Sequence, residues 1–152
     1  MEKRIILTLD QVPAFIDQTL VPLLTTHRII TLEGPLGAGK TTLVRELLTK
    51  MGVAGLITSP TFSYVNDYKS ASGKLFHHFD LYRIASIDDF IMAGFDEYLH
   101  ERESVCLIEW PQVIAPLLQR PELAKQTCHV MASHDPTDAD HRIINLITNN
   151  PW

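Results

Sequence analysis

The stretch GPLGAGKTT at residues 34–42 has the residue types that bind a nucleotide by its phosphates. It fits the pattern G-x-x-x-x-G-K-[ST] in full, and it lies between a predicted strand and a predicted helix. The glycines let the backbone curl so that its N–H groups point at phosphate oxygens, and the following helix adds its partial positive charge. Lys40 supplies a mobile charge for the β- and γ-phosphates, and the Thr41 hydroxyl can ligate Mg²⁺. The motif alone leaves phosphoryl transfer, hydrolysis and simple nucleotide carriage open.

A magnesium site also needs a carboxylate, which phosphate-loop proteins place at the end of a neighbouring apolar strand. Two candidates compete: Asp80 follows LFHHF, and Glu109 follows VCLI. We favour Glu109 as the metal ligand because the run before it is uniformly apolar. We place Asp80 in the same site, bound through water or orienting the attacking water. A solvated carboxylate at a strand end is the simpler alternative for either residue.

The adjacent histidines His77 and His78 raise the alternative of a transition-metal site. Neighbouring positions on a strand point to opposite faces, and the sequence places no further His or Cys at ligand spacing. Packing or hydrogen bonding near the nucleotide is therefore the favoured interpretation of this pair.

These side chains must be positioned by strands and helices whose patterns are readable. The chain begins with a predicted strand over 4–9, and Asp10 then caps a helix with apolar residues at 12, 15, 16, 20, 23 and 24. RIITLEG is a buried strand that enters the glycine-rich loop, and the helix after the loop stops at Gly52. SVCLIEW is typical of a central parallel strand.

The remaining segments predict two hairpins and short helices. One hairpin surrounds a Ser-Ala-Ser-Gly turn between SPTFSYVNDYK and KLFHHFDLYRI, and the other joins QTCHVMAS to HRIINLIT. Ser86 starts a helix that Gly94 interrupts, and a short helix covers 113–118. We therefore predict a single domain over 1–152 of the α/β class. It is a P-loop NTPase-like sandwich whose central, largely parallel sheet is extended by antiparallel hairpin strands, with helices on both faces.

Composition restricts the class of protein. The formal net charge of −5 argues against a broad basic surface for nucleic acid. Two cysteines without CxxC spacing fit a reducing compartment, and Cys106 is expected to be a small buried apolar residue. The N-terminal apolar run is too short for a signal peptide, and no segment reaches the length of a membrane span. We expect a cytoplasmic protein with no membrane partner.

Four blocks together, GPLGAGKTT, SPTF, HFDLYR and LIEWP, resemble the bacterial TsaE (YjeE) family. The resemblance covers residues 28–111, and it is the order and separation of the blocks that make it specific. It implies a small P-loop ATPase that is needed to make threonylcarbamoyladenosine in tRNA, with bound ATP or ADP and Mg²⁺.

The resemblance also implies roles for individual residues. Phosphate binding falls to Leu36, Gly37, Ala38, Gly39, Lys40, Thr41 and Thr42, and Mg²⁺ to Thr41 and Glu109. Thr61 of SPTF is expected near the γ-phosphate, and Asp80 and Arg83 beside the nucleotide. Lys40, Asp80 and Thr61 are then the catalytic candidates. A turn hydroxyl for Thr61 and a packed aromatic for Trp110 remain the simpler alternatives.

Purine contacts are expected from the ends of the chain, at Asp10, Gln11 and Arg142. There the sequence departs from the family, since DADHRI replaces a glycine-arginine pattern. The family is thought to act with the TsaB–TsaD pair, its ATPase activity supporting turnover of that assembly, so that tRNA is met only indirectly.

Two other functions are weighed against a partner-driven ATPase. A small-metabolite or nucleotide kinase needs an acceptor pocket and a mobile lid that carries arginines, whereas the arginines here are scattered singly. A GTPase switch needs Asn-Lys-x-Asp and Asp-x-x-Gly strings, and the sequence contains neither. With no evident arginine finger in the nucleotide motifs, although Arg83 is a candidate, intrinsic hydrolysis is expected to be slow.

Overall fold

The computed structural model describes residues 1–148, which form one mixed seven-stranded sheet with helices on both faces. The strands are β1 (Glu2–Thr8), β2 (Ile29–Glu33), β3 (Val65–Lys69), β4 (Leu75–Asp80), β5 (Ser104–Glu109), β6 (Thr127–His134) and β7 (His141–Thr148). Their spatial order is β1-β7-β6-β2-β5-β4-β3. The single domain predicted for 1–152 includes residues 149–152, which lie outside the described residues.

The four middle strands, β6, β2, β5 and β4, run parallel, and antiparallel strands flank them. β3 pairs with β4 as a hairpin around the predicted Ser-Ala-Ser-Gly turn, and β6 pairs with β7 as the second hairpin. β1 adds to the far edge by pairing antiparallel with β7. The predicted fold class, a largely parallel sheet extended by antiparallel hairpin strands, is confirmed.

The helical segments are short apart from the one after the glycine-rich loop. They are α1 (Val12–Phe15), α2 (Val21–Leu23), α3 (Lys40–Lys50), α4 (Ile87–Met92), α5 (Ala115–Leu118) and α6 (Pro121–Ala124). Single 3₁₀ segments cover Leu9–Gln11, Phe95–His100 and Pro111–Ile114, and a π-helical turn covers Ile16–Leu20. Gly52 ends α3 with φ +83°, as predicted. Ser86 caps α4 by accepting from Asp89 N at 3.1 Å, also as predicted.

The start of the first helical segment differs from the prediction. Thr8, not Asp10, is the cap: the segment begins at Leu9, and the Gln11 side chain accepts from Thr8 N at 3.0 Å. Asp10 lies in the first turn, where its carboxylate accepts from the Thr8 hydroxyl at 2.5 Å. Thr8 is the N-cap because it is the last residue of β1, and its backbone is still extended, as is usual for an N-cap residue.

Two apolar clusters hold the helices to the sheet. One cluster joins the first helical segment and α3 to one sheet face through residues such as Ile16, Leu47 and Leu107. The other joins α4, α5 and α6 to the opposite face around Phe79 and Phe90. β5 is buried along its whole length, as expected of a central strand. Among residues 1–148, no helix is both long and apolar enough to span a bilayer.

Cys106 on β5 and Cys128 on β6 are free and buried, which confirms the interpretation of Cys106 as a core residue. Burial raises the pKa of Cys106 to about 12 and that of Cys128 to about 11. Each pKa unit above the pH lowers the thiolate fraction by about tenfold, so both thiols are expected to be inert in the folded protein. Titration with Ellman's reagent at pH 7 checks this: both should react only after unfolding in guanidinium. Fast labelling of the native protein would contradict it.

Candidate functional site

The glycine-rich loop connects β2 to α3 at the carboxyl edge of the parallel strands. Gly34, Gly37 and Gly39 all have positive φ, at +148°, +77° and +98°. Lys40 is the first residue of α3, so the positive end of an 11-residue helix faces the loop. This arrangement is the strand–loop–helix context that the phosphate-binding motif predicts.

The Lys40 ammonium lies inside the curve of this loop. Its Nζ donates to Gly34 O at 2.7 Å and to Pro35 O at 2.9 Å, and it lies 4.2 Å from the centre of a Trp110 ring. Burial lowers the pKa of Lys40, whereas the carboxylates of Glu109 and Asp80 raise it. The two carbonyl bonds hold the cation against the loop, and phosphate oxygens can replace the two carbonyls as its partners.

Glu109 ends β5 beside β2, and its side chain is only 3% exposed. The Thr41 hydroxyl donates to both carboxylate oxygens, at 3.0 Å to Oε1 and 3.1 Å to Oε2. The two predicted metal ligands therefore meet, and their oxygen donors suit Mg²⁺, which binds through few protein ligands plus phosphate and water. No group of three or more His, Cys, Asp or Glu side chains that could hold a metal occurs within 1–148.

Asp80 ends β4 and lies directly across from Glu109 in the parallel ladder. Its Oδ1 accepts from Tyr82 N at 3.1 Å. Burial raises the pKa of Asp80, an effect that the Tyr82 hydrogen bond opposes and the neighbouring Glu109 carboxylate reinforces. The two carboxylates thus share one edge, with only Glu109 in hydrogen-bond contact with the Thr41 hydroxyl.

A cavity of about 340 Å³ opens over the loop and contains these groups. Its lining comprises Leu36, Gly37, Gly39, Lys40, Thr41, Thr42, Ser59, Asp80, Glu109 and Trp110. Most of the predicted phosphate and metal residues therefore border one space; Ala38 lines the adjacent cavity instead. Ser59 had no predicted contact, yet its Oγ lies 3.1 Å from Thr41 Oγ1. The sequence feature that could have indicated this contact is the position of Ser59 in the SPTF block.

Thr61 lies in a separate, smaller cavity of about 160 Å³ beside the phosphate cavity. That space is also lined by Tyr64, Tyr82 and Arg83, and it shares Ser59 and Asp80 with the phosphate cavity. Thr61 is exposed, so its role near a γ-phosphate remains a prediction. Trp110 has φ +57°, and its ring contacts Tyr82 with the ring centres 4.8 Å apart.

A third cavity, of about 260 Å³, lies on the other side of the loop and is predominantly apolar. It is lined by Leu7, Leu9, Val12, Gly37, Ala38, Gly39, Thr42, Leu43, Ala139, Asp140, Arg142 and Ile144. Arg142 therefore lines a space that adjoins the glycine-rich loop, and its role as a purine contact stays a prediction. The predicted contacts Asp10 and Gln11 are exposed and bonded to Thr8, while their neighbours Leu9 and Val12 line the space. The apolar lining was not predicted.

The two histidines diverge, as adjacent strand positions require. His77 faces the side of the sheet opposite to α3 and bonds to Asp67 at 2.7 Å and to Glu101 at 3.0 Å. His78 is fully buried, and its Nε2 lies 2.8 Å from Glu109 Oε1. Hydrogen bonding of this histidine pair near the predicted nucleotide site was expected from the sequence, but Glu109 as the partner of His78 was not.

The family model and the curated relatives that match this chain carry the same family name. The model for "Threonylcarbamoyl adenosine biosynthesis protein TsaE" matches residues 10–143. The tRNA threonylcarbamoyladenosine biosynthesis protein TsaE of Borreliella burgdorferi is 35% identical over 106 residues, covering 70% of this chain and 76% of that one. The protein of the same name from Rickettsia conorii is 33% identical over 138 residues, covering 84% and 77%.

A third relative of that name, from Haemophilus influenzae, is 44% identical over 84 residues, 55% of this chain. The match spans only about half of that relative, 52% of its length. Among solved structures, the crystal structure of Bacillus subtilus YdiB aligns with a TM-score of 0.68 at 23% identity, covering 99% of this chain and 88% of that one. That likeness supports the fold, and the family-model match extends over most of the chain. The chain belongs to the TsaE family.

Proposed function

We propose that this protein binds Mg²⁺–ATP, hydrolyses it slowly, and serves tRNA threonylcarbamoyladenosine biosynthesis by acting on a TsaB–TsaD complex. One observation carries the nucleotide part: the Thr41 hydroxyl at the start of α3 donates to the buried Glu109 carboxylate at 3.0 Å, beside Lys40. The relatives' names support the pathway. We place the protein in the cytoplasm, where two free buried thiols remain reduced.

The phosphates would be held by this chain's own groups. The amides of 36–42 and the amino end of α3 present donors, and Lys40 exchanges its two loop carbonyls for β- and γ-phosphate oxygens. Thr41 and Glu109 would hold the magnesium ion, which supplies charge neutralisation on the phosphate oxygens when bound. Asp80 borders the same cavity and does not hydrogen-bond to Thr41, so we assign it the role of orienting an attacking water.

The third cavity supports a bound adenine nucleoside. It adjoins the phosphate loop through Gly37, Ala38, Gly39 and Thr42, and its walls are predominantly apolar, which suits the face of a base. Arg142 is held at its rim because its Nη1 donates to Ala139 O at 2.8 Å. We propose Arg142 as a base or ribose contact and assign Asp10 and Gln11 to shaping the turn that presents Leu9.

Two features support completion of the site by a partner. The phosphate cavity lining, as far as residues 1–148 form it, contains Lys40 but no arginine; Arg83 lies in the neighbouring space with Thr61. Large apolar side chains are exposed nearby: Leu36 of the cavity lining is 68% exposed, Tyr82 of the neighbouring cavity 55%, and Phe62, which follows Thr61, 89%. A protein that packs on them would cover the phosphates, and the acidic net charge leaves tRNA to be met through that complex.

The decisive experiment is steady-state ATP hydrolysis by the purified protein, with and without the TsaB–TsaD pair. Because a missing arginine is worth about 10³–10⁵ in kcat, we expect slow turnover alone and a clear increase with the pair. GTP should be a poor substrate, and a screen of small-molecule and nucleotide acceptors should show no phosphoryl transfer. Fast hydrolysis that the pair does not change would contradict partner activation, and transfer to an acceptor would identify a kinase.

A further inference from the structure

His78 is a buried polar side chain that the proposed chemistry does not use directly. It is 0% exposed, and its Nε2 lies 2.8 Å from Glu109 Oε1. Because a carboxylate only accepts hydrogen bonds, His78 Nε2–H must donate to it. The other ring nitrogen, Nδ1, has no hydrogen-bond partner among the described residues. The ring is therefore oriented by a single hydrogen bond, and that bond points at the predicted metal ligand.

The surrounding elements make this contact rigid. His78 lies on β4, which pairs parallel with β5, and both strands are in the middle of the sheet. His78 pairs with Leu107, two residues before Glu109, so the ring reaches along the strand toward the carboxylate. With Thr41 contacting both carboxylate oxygens and His78 contacting one of them, Glu109 has no freedom to rotate without losing a bond.

We infer that His78 is a positioning residue that fixes the Glu109 carboxylate in the orientation needed to hold Mg²⁺. This inference rests on the proposed function, because it concerns the same metal. Residues that hydrogen-bond a metal ligand from behind set its direction, and their loss typically lowers metal affinity or activity about 10–100-fold. The site then has three working parts on three elements: Thr41 on α3, Glu109 on β5 and His78 on β4.

His77 provides a matched control within the same strand. It is also buried and also bonded to carboxylates, Asp67 and Glu101, but it lies on the opposite face and packs edge-on against Tyr98. If any substitution of a buried histidine in β4 weakens Mg²⁺-dependent ATP binding, variants of both residues should show the loss. If the loss comes from the contact with the proposed metal ligand, only the His78 variant should show it.

The test is ATP binding by calorimetry across a series of free Mg²⁺ concentrations and in EDTA. Mg²⁺ should enhance ATP binding, and His78→Leu should raise the Mg²⁺ concentration that gives half of this enhancement by about 10–100-fold. The affinity for ATP in EDTA should stay close to that of the wild type. His78→Gln, which keeps an N–H near the position of Nε2, should restore most of the Mg²⁺ response. His77→Leu should leave the Mg²⁺ midpoint unchanged.

Three binding results would overturn the inference: an unshifted midpoint in folded His78→Leu, an equal shift in His77→Leu, or no recovery in His78→Gln. If His78→Leu does not fold, ¹⁵N NMR of the wild type decides, since we expect His78 to be protonated at Nε2 and a ring protonated at Nδ1 alone would overturn it. A wild type whose ATP affinity ignores Mg²⁺ would refute the proposed metal site itself, and the inference with it.

Discussion

Replacing Glu109 by alanine is expected to weaken Mg²⁺-dependent ATP binding by about 100-fold or more. A bound metal supplies several kcal/mol of charge stabilisation, and each factor of ten corresponds to about 1.4 kcal/mol. Glu109 is the carboxylate that the Thr41 hydroxyl contacts, so its loss removes one of the two proposed protein ligands. ATP binding in EDTA should change little, because Lys40 and the loop amides remain.

Asp80→Ala is the matched comparison for this prediction. It also removes one negative charge from the same cavity, but from a residue that does not hydrogen-bond to Thr41. We expect near-normal Mg²⁺–ATP affinity and a strong reduction in kcat, as for a residue that orients water. The measurements are calorimetric Kd values with and without Mg²⁺, and single-turnover hydrolysis. The reverse pattern, affinity lost in Asp80→Ala and turnover lost in Glu109→Ala, would exchange the two roles.

Thermal unfolding of both variants distinguishes these effects from misfolding. Glu109 is buried and bonded to His78, so Glu109→Ala leaves a buried ring without its partner and should lower Tm. Asp80 is half-buried, and its loss removes only the acceptor for Tyr82 N. Binding is to be compared at a temperature at which each variant is fully folded.

The phosphate loop and its flanking elements could be predicted because local sequence determines them. The motif specifies the backbone curl, the apolar run before it specifies β2, and the periodicity after it specifies α3 up to Gly52. The position of Glu109 at the end of a central strand beside the loop could be predicted for a similar reason: a uniformly apolar strand is central, and central parallel strands end together at one edge. These inferences need no knowledge of distant contacts.

The third cavity, which Arg142 lines, could not be predicted, because it depends on the pairing of the two ends of the chain. β1 lies beside β7, and this pairing brings Leu7 and Leu9 together with Arg142 next to the loop. Nothing in the local pattern of either strand specifies the other as its partner. The resemblance to the family indicated both regions, although it selected Asp10 and Gln11 where the structure has Leu9 and Val12 along the wall.

The contact of His78 with Glu109 was missed for a related reason. Alternation along β4 predicts that His77 and His78 face opposite ways, but it does not say which faces α3. That follows only from the parallel register, in which Asp80 lies opposite Glu109 and His78 opposite Leu107. A histidine two residues before a carboxylate that ends a strand is the signal that pointed toward the site.

Gly34→Ala is expected to be the most destabilising single substitution in the phosphate loop. A Cβ at this position would lie 2.1 Å from Ala132 O, a backbone atom of β6, and the residue has φ +148°. Overpacking costs about 1–3 kcal/mol, and a strained backbone conformation costs a further 1–3 kcal/mol, roughly. Native domains have only about 5–15 kcal/mol of stability, so this change removes a large share of it.

The clash cannot be relieved cheaply, because the added Cβ is fixed to the loop backbone and Ala132 O is itself a backbone atom. β2 is hydrogen-bonded to β6 up to the pair Glu33 and Met131, so neither strand can shift without breaking the ladder. If the variant folds, the loop itself must move. Lys40 Nζ would then lose its position against Gly34 O, and ATP affinity should fall even where the protein remains folded.

Gly55→Ala separates the clash from the backbone strain. Gly55 also has positive φ, +90°, but a Cβ there meets nothing within 4 Å, and the residue lies outside the cavities that border the loop. Chemical denaturation should show a loss of about 1–2 kcal/mol for Gly55→Ala and about 2–6 kcal/mol for Gly34→Ala, as the sum of the two costs above. Equal losses in the two variants would show that the approach of Gly34 to β6 does not constrain the loop, and that its conformation is set by φ alone.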